Sequence, residues 1–309
     1  MDRGTLARLE QELGTGFSTV RSLGGQHGVA HFRLQHSTGR VLFVKVGRPS
    51  GDVGADSGRW PGSAGQLSPG PGFAAEASGL RWLADAGAAV PGVLAVAEDF
   101  LAIDWIETSA PEARAASCFG RELAALHAAG AEAFGAPWPG VIAGLPLLNE
   151  ALLNETPAGL GWAEWYAAAR VLPYVALARD RGALTAAQAG LGEAAAGHAA
   201  QVAGPAEPPA RIHGDCWSGN VLWSGGRGWL IDPAAHGGHR ETDLAMLALF
   251  GAPYLDRIMA AYQEVAPLAD GWRGRVPLHQ LHPLLVHCCL FGRSYTEPTL
   301  AAARAVLAL

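Results

Sequence analysis

The sequence predicts an α+β fold with two lobes: a small five-stranded antiparallel sheet that carries one helix, and a larger, mainly helical lobe. Two observations predict it. Short strand-like runs, separated by glycine-rich turns, fill the first 107 residues. From residue 108 onward, alanine-rich segments with helical spacing dominate. We therefore place one domain at residues 1–107 and a second at residues 108–309.

The small lobe begins with a predicted helix at residues 5–13, where leucines recur three to four positions apart. Three strands are predicted next, in FSTVRSL, VAHFRLQ and VLFVKV, with the glycine-rich turn GGQHG between the first two. Residues 47–72 are dominated by Gly, Ser and Pro. Such a composition buries little apolar surface, so a mobile loop is expected there.

The segment FAAEASGLRWLADAG is predicted to be the helix of the small lobe, with Phe73, Ala77, Leu80 and Ala84 on one face. Gly87 follows it as a C-terminal capping residue. Two more apolar runs, VLAVAE and FLAIDWIE, are predicted strands and complete the sheet of five. The helix is therefore expected after the third strand.

In the larger lobe, helices are predicted at residues 112–129, 161–181, 185–202, 241–266 and 277–292. The strand-like pieces are VLW and GWLID, which flank a polar motif, HGDCWSGN. The HGGH stretch at 236–239 indicates a flexible loop.

The composition of the 309 residues excludes several classes of protein. A formal net charge of −6 and the lack of a basic run argue against nucleic-acid binding. The sequence contains no uninterrupted apolar stretch of about 18 residues, so a membrane span is not expected. The four cysteines form no C-x-x-C pair, and no secretory leader pattern follows Met1, so we expect a cytoplasmic protein. The oligomeric state is not predicted.

One lysine stands out, because 21 of the 22 basic residues are arginine. The exception is Lys45, in the apolar run VLFVKV. A buried ammonium needs an anionic partner, since burying it unpaired is costly. Lys45 is therefore predicted to have a specific electrostatic role.

The polar residues supply the parts that phosphoryl transfer from a nucleotide requires. Such a site needs a cation on the phosphates, oxygen ligands for Mg²⁺ and a group that takes the proton of the attacking hydroxyl. The candidates are Lys45 for the phosphates, Glu76 to fix Lys45, Asp215 as base, and Asn220 and Asp232 as metal ligands. The turn formed by Gly25, Gln26 and His27 is a candidate phosphate cradle, although an ordinary hairpin turn has the same composition.

The sequence offers weaker support for other chemistries. A zinc site is suggested by His279, His282, His287, Cys288 and Cys289 in HQLHPLLVHCC, but the leucine-rich surroundings favour core or pocket histidines. The sequence has no G-K-[ST] for a Walker A motif, and no G-x-S-x-G nucleophile motif.

These motifs give the chain a family resemblance. They are GG at 24–25, FVK at 43–45, the glutamate of FAAEASGLRWL, HGDCWSGN, IDPA, HRETDLAMLALFGAPY and HCCLFGRSY. The D-x-x-x-x-N spacing matches the catalytic loop of protein kinases. The whole set resembles the fructosamine kinase (ketosamine kinase) family, in the larger group of aminoglycoside phosphotransferases and choline kinases.

The resemblance implies a protein-kinase-like fold and ATP- and Mg²⁺-dependent phosphorylation of a sugar hydroxyl on a ketosamine, in repair of glycated protein. It implies that Asp215 is the base, that Asn220 and Asp232 bind Mg²⁺, and that Lys45 and Glu76 hold the phosphates. It also implies an adenine-binding hinge at Asp104, Trp105 and Ile106, and substrate contacts at Trp217 and His287. Trp217 could equally brace the loop as a core residue.

Two alternatives stay open. The first is another acceptor on the same fold, an aminoglycoside, choline or homoserine. The second is a non-catalytic binding module. Neither the sugar nor the choice between a free and a protein-bound amine is predicted.

Overall fold

The computed structural model describes residues 1–26, 28–47, 72–149 and 161–309. Its first part is a five-stranded antiparallel sheet in the order β1-β2-β3-β5-β4. The strands are β1 (Phe17–Gln26), β2 (Val29–His36), β3 (Val41–Gly47), β4 (Val93–Val96) and β5 (Phe100–Asp104). Helix α1 (Arg3–Leu13) precedes the sheet, and α2 (Phe73–Asp85) follows β3. The predicted sheet with its inserted helix is confirmed. The predicted loop at 47–72 lies, apart from its two end residues, outside the described residues.

The two faces of the sheet meet different partners because side chains alternate along a strand. On β3, Leu42 and Val44 are buried with Leu9 of α1. Phe43 and Lys45 therefore point to the opposite face, where α2 lies. The alternation places the single lysine on the side that faces the helical part of the chain.

The second part of the described chain is mainly helical. Its helices are α3 (Ala113–Ala128), α4 (Trp162–Tyr166), α5 (Leu172–Asp180), α6 (Ala186–Val202), α7 (Glu241–Leu249), α8 (Leu255–Val265), α9 (Trp272–Phe291) and α10 (Thr296–Leu307). A π-helical turn, Ala167–Val171, joins α4 to α5. The helices predicted at 112–129, 161–181 and 185–202 are confirmed, the second with this turn inside it.

The helix predicted at 241–266 is wrong as a single element, because the chain forms α7 and α8 with a break between them. The break contains Gly251 and Tyr254, whose φ angles are 72° and 56°, in the left-handed region that ends helices. Pro253, between them, has no N–H to donate to a continuing helix. Helix α9 begins at Trp272, earlier than the predicted 277, and α10 was not predicted.

Short strands complete the second part. They are β6 (Gly140–Ile142), β7 (Leu145–Leu147), β8 (Ala210–Ile212), β9 (Val221–Ser224), β10 (Arg227–Leu230) and β11 (His236–Gly238). The predicted VLW and GWLID strands are confirmed as the β9–β10 hairpin, although β10 ends before Asp232. The flexible loop predicted at 236–239 is wrong: His236 is buried and pairs with Ile212 of β8. Strands of three residues are too short to show an alternating pattern.

One buried cluster joins the sheet to the helices. It contains Leu80 of α2, Leu101 of β5, Phe119 of α3 and Tyr262 of α8. The cluster crosses the predicted boundary between residues 107 and 108, and the division into two domains stays a prediction. Among the described residues, no helix is long and apolar enough to span a membrane.

Candidate functional site

The β9–β10 hairpin gathers two of the predicted site residues. Asn220 comes directly before β9, and Asp232 lies two positions beyond the end of β10. Because the strands pair Val221 with Leu230, both side chains leave the same end of the hairpin. The backbone N–H of Ile231 donates to Asn220 O at 3.0 Å, which closes this end.

Lys45 reaches this group from the sheet. Its Nζ donates to both carboxylate oxygens of Glu76, at 2.8 and 2.9 Å, and to Asp232 Oδ1 at 2.6 Å. Asp232 has a φ of 53°, a left-handed conformation that is uncommon outside glycine and that Asp tolerates better than most residues. Three elements distant in sequence thus converge on one ammonium group.

The charges in this group are strongly coupled. Burial pulls the pKa of Lys45 down, but the carboxylates of Glu76 and Asp232 outweigh it and leave that pKa raised. Burial raises the pKa of Glu76 to about 7, while Lys45 pulls it the other way. Lys45 and Glu76 form an ion pair, because the ammonium stays charged at neutral pH and contacts both carboxylate oxygens.

Asp215 lies beside the hairpin and is held by Asn220. The Asn220 Nδ2 group donates to Asp215 Oδ2 and to Asp215 O, both at 2.9 Å. Burial raises the pKa of Asp215 to about 7, and the charges of Asp232 and Asp243 add to this effect against the hydrogen bond from Asn220. A carboxylate with a pKa near neutrality and a fixed orientation can act as a general base.

A residue without a predicted role holds the loop that carries Asp215. Asp243, on α7, is fully buried and accepts hydrogen bonds from His213 N (2.7 Å) and Gly214 N (2.9 Å). It also contacts His127 Nε2 at 3.1 Å. Burial alone would raise the pKa of Asp243, but the hydrogen bonds from His127 and the histidine charges hold it below its ordinary value. The sequence signal was an acidic residue directly before the apolar run LAMLALF, within HRETDLAMLALFGAPY.

The two predicted substrate residues lie on one aromatic patch. Phe250 contacts Trp217 with ring centroids 5.7 Å apart and His287 at 5.0 Å. Gly219 lets the Trp217 ring lie over the loop, because a Cβ there would come within 2.3 Å of that ring. Trp217 stays 37% exposed, so part of this residue is available to a ligand. Sequence reasoning missed Phe250, which links the two.

The glycine-rich turn of the sheet is described in part. Gly24 and Gly25 belong to the end of β1, and Gly24 has a φ of 95° with open space around it. The side chain of Gln26 and the whole of His27 lie outside the described residues. Their predicted contact with phosphates stays a prediction.

The predicted hinge follows β5. The Asp104 N–H donates to Gly92 O at 3.0 Å, and the Trp105 N–H donates to Val41 O at 3.3 Å. Of the three predicted hinge amides, Ile106 N–H is the one without a protein acceptor among the described residues. The Asp104 carboxylate is occupied by Arg40, whose Nη2 lies 2.6 Å from Oδ1. The Ile106 N–H is therefore the backbone donor that these three residues offer a ligand.

An open cleft of about 590 Å³ borders the hinge. It is lined by Asp104, Trp105, Ile106 and Glu107 together with Trp229. Its lining includes neither Lys45 nor Asp215. We locate the chemistry at the charged cluster and not in this cleft, because the carboxylates and the lysine lie at the cluster.

The zinc site weighed from the sequence does not assemble as that set of residues. His279 lies instead with His239 and Glu241, with possible ligand atoms within 4.8 Å of one another. Glu241 already accepts two hydrogen bonds from the Arg275 guanidinium, at 2.6 and 3.0 Å. The Glu241 N–H donates to His239 Nδ1, so the proton of that ring lies on Nε2. The Arg275 guanidinium and the Nε2–H of the neutral His239 ring are both hydrogen-bond donors. They make this position a network around Glu241, not a cation site.

Three comparisons relate the chain to known proteins. Residues 66–308 match the model of the family described as fructosamine kinase. A solved structure from Thermobifida fusca, of a protein named as a fructosamine-3-kinase, is 46% identical, with a TM-score of 0.87 and 100% of both chains covered. A protein of Thermus thermophilus named as a ketoamine kinase is 34% identical, over 72% of this chain and 78% of its own length.

A more distant comparison bears on the fold alone. The ADP-bound aminoglycoside phosphotransferase APH(2'')-Ib is 13% identical, with a TM-score of 0.62 and 99% of both chains covered. The predicted fold, an α+β arrangement of the protein-kinase-like type, is confirmed.

Proposed function

The chain belongs to the fructosamine kinase family, a family of phosphotransferases, and from that premise we propose that it transfers the γ-phosphoryl group of ATP to a sugar hydroxyl of a ketosamine. One contact set carries the proposal. Lys45 Nζ lies 2.8 Å from Glu76 Oε1 and 2.6 Å from Asp232 Oδ1. A lysine pinned between a helix glutamate and a second carboxylate is the arrangement that positions nucleotide phosphates in kinases.

In this proposal Asp215 accepts the proton of the attacking hydroxyl. Its carboxylate is oriented by Asn220, and Asp243 fixes the backbone on which it stands. A pKa near 7 leaves a large fraction of Asp215 ionised at neutral pH while keeping its affinity for a proton high. Both conditions favour a general base.

Asn220 and Asp232 are proposed to hold Mg²⁺. Both hydrogen bonds that Asn220 donates use Nδ2, which leaves the Oδ1 atom for a cation. A carboxylate and an amide oxygen at the same end of one hairpin are the hard ligands that Mg²⁺ prefers. When bound, Mg²⁺ neutralises the charge of the phosphates. Lys45 would then exchange part of its contact with Asp232 for the phosphates.

The adenine ring is proposed to lie against the hinge. Ile106 N–H is the free donor of that segment among the described residues. A backbone N–H can donate a hydrogen bond to the edge of a purine, so no side chain is needed for this contact. Gly24 has open space around it, and the strand register places it opposite His31, which pairs with Lys45. This arrangement supports a phosphate cradle at the end of β1.

The ketosamine is proposed to dock on the aromatic patch of Trp217, Phe250 and His287. A half-exposed indole beside a catalytic carboxylate suits the apolar face of a sugar. Burial lowers the pKa of His287, so this ring is neutral and can accept or donate a hydrogen bond. Phosphorylation would convert the sugar hydroxyl into a better leaving group, which favours breakdown of the adduct. We propose a role in the repair of glycated protein in the cytoplasm.

The test is ADP release with Mg·ATP against a fructosyl-amine, a ribulosyl-amine, kanamycin, choline and homoserine, with Asp215→Asn as the control protein. Turnover on the ketosamines alone is the expected result. Turnover on another acceptor alone would keep the phosphotransferase and overturn the substrate. ATP binding without turnover on any acceptor would favour a binding module.

A further inference from the structure

Arg170 is the largest fully buried side chain among the described residues, 1% exposed. Its guanidinium donates to Asn149 Oδ1 at 2.6 Å and more weakly to the carbonyls of Leu148 and Ala169, at 3.4 and 3.3 Å. All three acceptors are neutral. No carboxylate of the described residues forms an ion pair with it, whereas the other buried arginine, Arg275, is paired with Glu241.

Among the described residues this buried guanidinium has no counter-charge, which is energetically unusual. A charge removed from water is tolerated in a protein when it is paired, or when the group gives up its charge. Burial lowers the pKa of Arg170 only to about 10, so the group stays charged at pH 7. The nearby Tyr166 and Tyr174 cannot neutralise it, because burial raises the pKa of both hydroxyls and keeps them protonated.

Arg170 borders a small cavity. The π-helical turn Ala167–Val171 directs its side chain inward, where it lies over the ring of Trp165 at 4.5 Å from the centroid. The cavity is lined by Trp165, Arg170 and His282, among others. The volume within which the centre of a water-sized sphere can move is about 10 Å³. That is room for one occupant of about the size of a water molecule or a halide ion.

The cavity is lined by polar groups that lack partners. The Nε–H of Arg170, the Nε1–H of Trp165 and the Nε2 of His282 are buried and have no hydrogen-bond partner among the described residues. Burial lowers the pKa of His282 well below its ordinary value, with Arg170 adding to the effect, so this ring is neutral. Two of the three groups can only donate hydrogen bonds, and the histidine can do so in one tautomer.

From these observations we propose that the cavity binds one halide-sized monovalent anion, chloride, as the counter-ion of Arg170. Water would satisfy the donors but would leave the guanidinium charge unpaired. A phosphate or carboxylate ligand would exceed the space. Donors from an arginine and an indole, with a net positive charge, provide the electrostatics that an anion needs.

The position of the cavity links this anion to the proposed active site. Gly214, next to Asp215, and Thr242, next to Asp243, also line the cavity. The anion would therefore lie next to the loop that carries Asp215, where it would stabilise the folded loop.

Crystals grown or soaked in sodium bromide provide the direct test. An anomalous bromine peak in the cavity, beside Arg170 Nε and Trp165 Nε1, is the expected result. Density without anomalous signal would show water there and would overturn the proposal.

Thermal unfolding provides the second test and does not depend on enzyme activity. Sodium chloride is titrated against sodium gluconate at constant ionic strength, with wild type, Arg170→Met, Trp165→Phe and the control Arg121→Met. Arg121 is an exposed arginine paired with Glu264, so its variant reports bulk salt effects. A ten-fold excess of chloride over its dissociation constant should raise the Tm of wild type and the control by about 2 °C.

Arg170→Met should lose this chloride dependence, and Trp165→Phe should need more chloride for the same rise. If Arg170→Met does not fold, the wild type and Trp165→Phe still give the comparison. Equal responses of wild type and Trp165→Phe, or no response of wild type, would contradict the proposed site.

Discussion

Asp215→Asn should have opposite effects on activity and on stability. The substitution keeps the shape of the side chain and its hydrogen bond from Asn220 Nδ2, now to an amide oxygen. It removes the base, and the loss of a positioned base lowers kcat by roughly 10²–10⁴-fold. It also removes a carboxylate whose burial raises its pKa from 3.8 to about 7.

The stability effect can be worked from that pKa. The difference between 3.8 and about 7 corresponds to about 4 kcal/mol of unfavourable burial when Asp215 is ionised. Between about pH 4 and pH 7 the folded chain retains a proton on Asp215 that the unfolded chain has lost. The contribution of this group to the stability of the wild type therefore falls as pH rises through that window. The variant does not show this fall, because asparagine does not titrate.

The assay is urea unfolding of both proteins at pH 4.5, 6, 7 and 8, alongside ADP release at pH 7.5. The variant should gain stability over the wild type as pH rises, reaching a plateau above about pH 7, while turnover is lost and ATP still binds. A gain that does not change with pH would refute the electrostatic reasoning. Wild-type-like turnover would refute the assignment of Asp215 as the base.

Other consequences can be measured in the same way. Lys45→Arg should raise the KM for ATP about ten-fold or more, because a planar guanidinium cannot fit between two carboxylates as a compact ammonium does; unchanged ATP kinetics would show that Lys45 does not contact phosphates. Asn220→Ala should raise the Mg²⁺ concentration for half-maximal turnover about ten-fold, measured by Mg²⁺ titration, and an unchanged requirement would remove Asn220 from the metal site. Asp243→Asn should destabilise the chain by about 3 kcal/mol in urea unfolding, because a buried acceptor of two backbone N–H groups loses its charge; a loss below about 1 kcal/mol would contradict its anchoring role. The pH profile of kcat/KM for the wild type should rise with an apparent pKa near 7, that of Asp215 in the free enzyme, and a profile flat between pH 6 and 8 would contradict it.

The chain's local patterns predicted much of the fold. Alternation in VLFVKV placed Lys45 on β3, and helical spacing predicted α2 with Glu76 on it. The paired runs VLW and GWLID predicted the hairpin that brings Asn220 and Asp232 together. These features depend on residues a few positions apart, which is why periodicity is enough to find them.

Where local patterns were weak, the predictions failed. Strand β11 has three residues, and its glycines suggested a loop, but pairing with β8 buries it. The break between α7 and α8 depends on one proline and two left-handed residues inside an otherwise helical pattern. In the first place a tertiary contact outweighed the propensity of the segment, and in the second a local helix-breaking signal interrupted the helical pattern.

The sequence by itself determined which residue types the site contains and the secondary elements that carry most of them. Only the tertiary structure decided their environments. Lys45 meets Asp232 across 187 positions of sequence, and Asp243 holds the loop of Asp215 from the start of α7. The raised pKa of Asp215, the neutral surroundings of Arg170 and the patch around Phe250 all depend on which distant side chains exclude water. Burial and electrostatic interactions are properties of three-dimensional proximity, and no spacing along the chain encodes them.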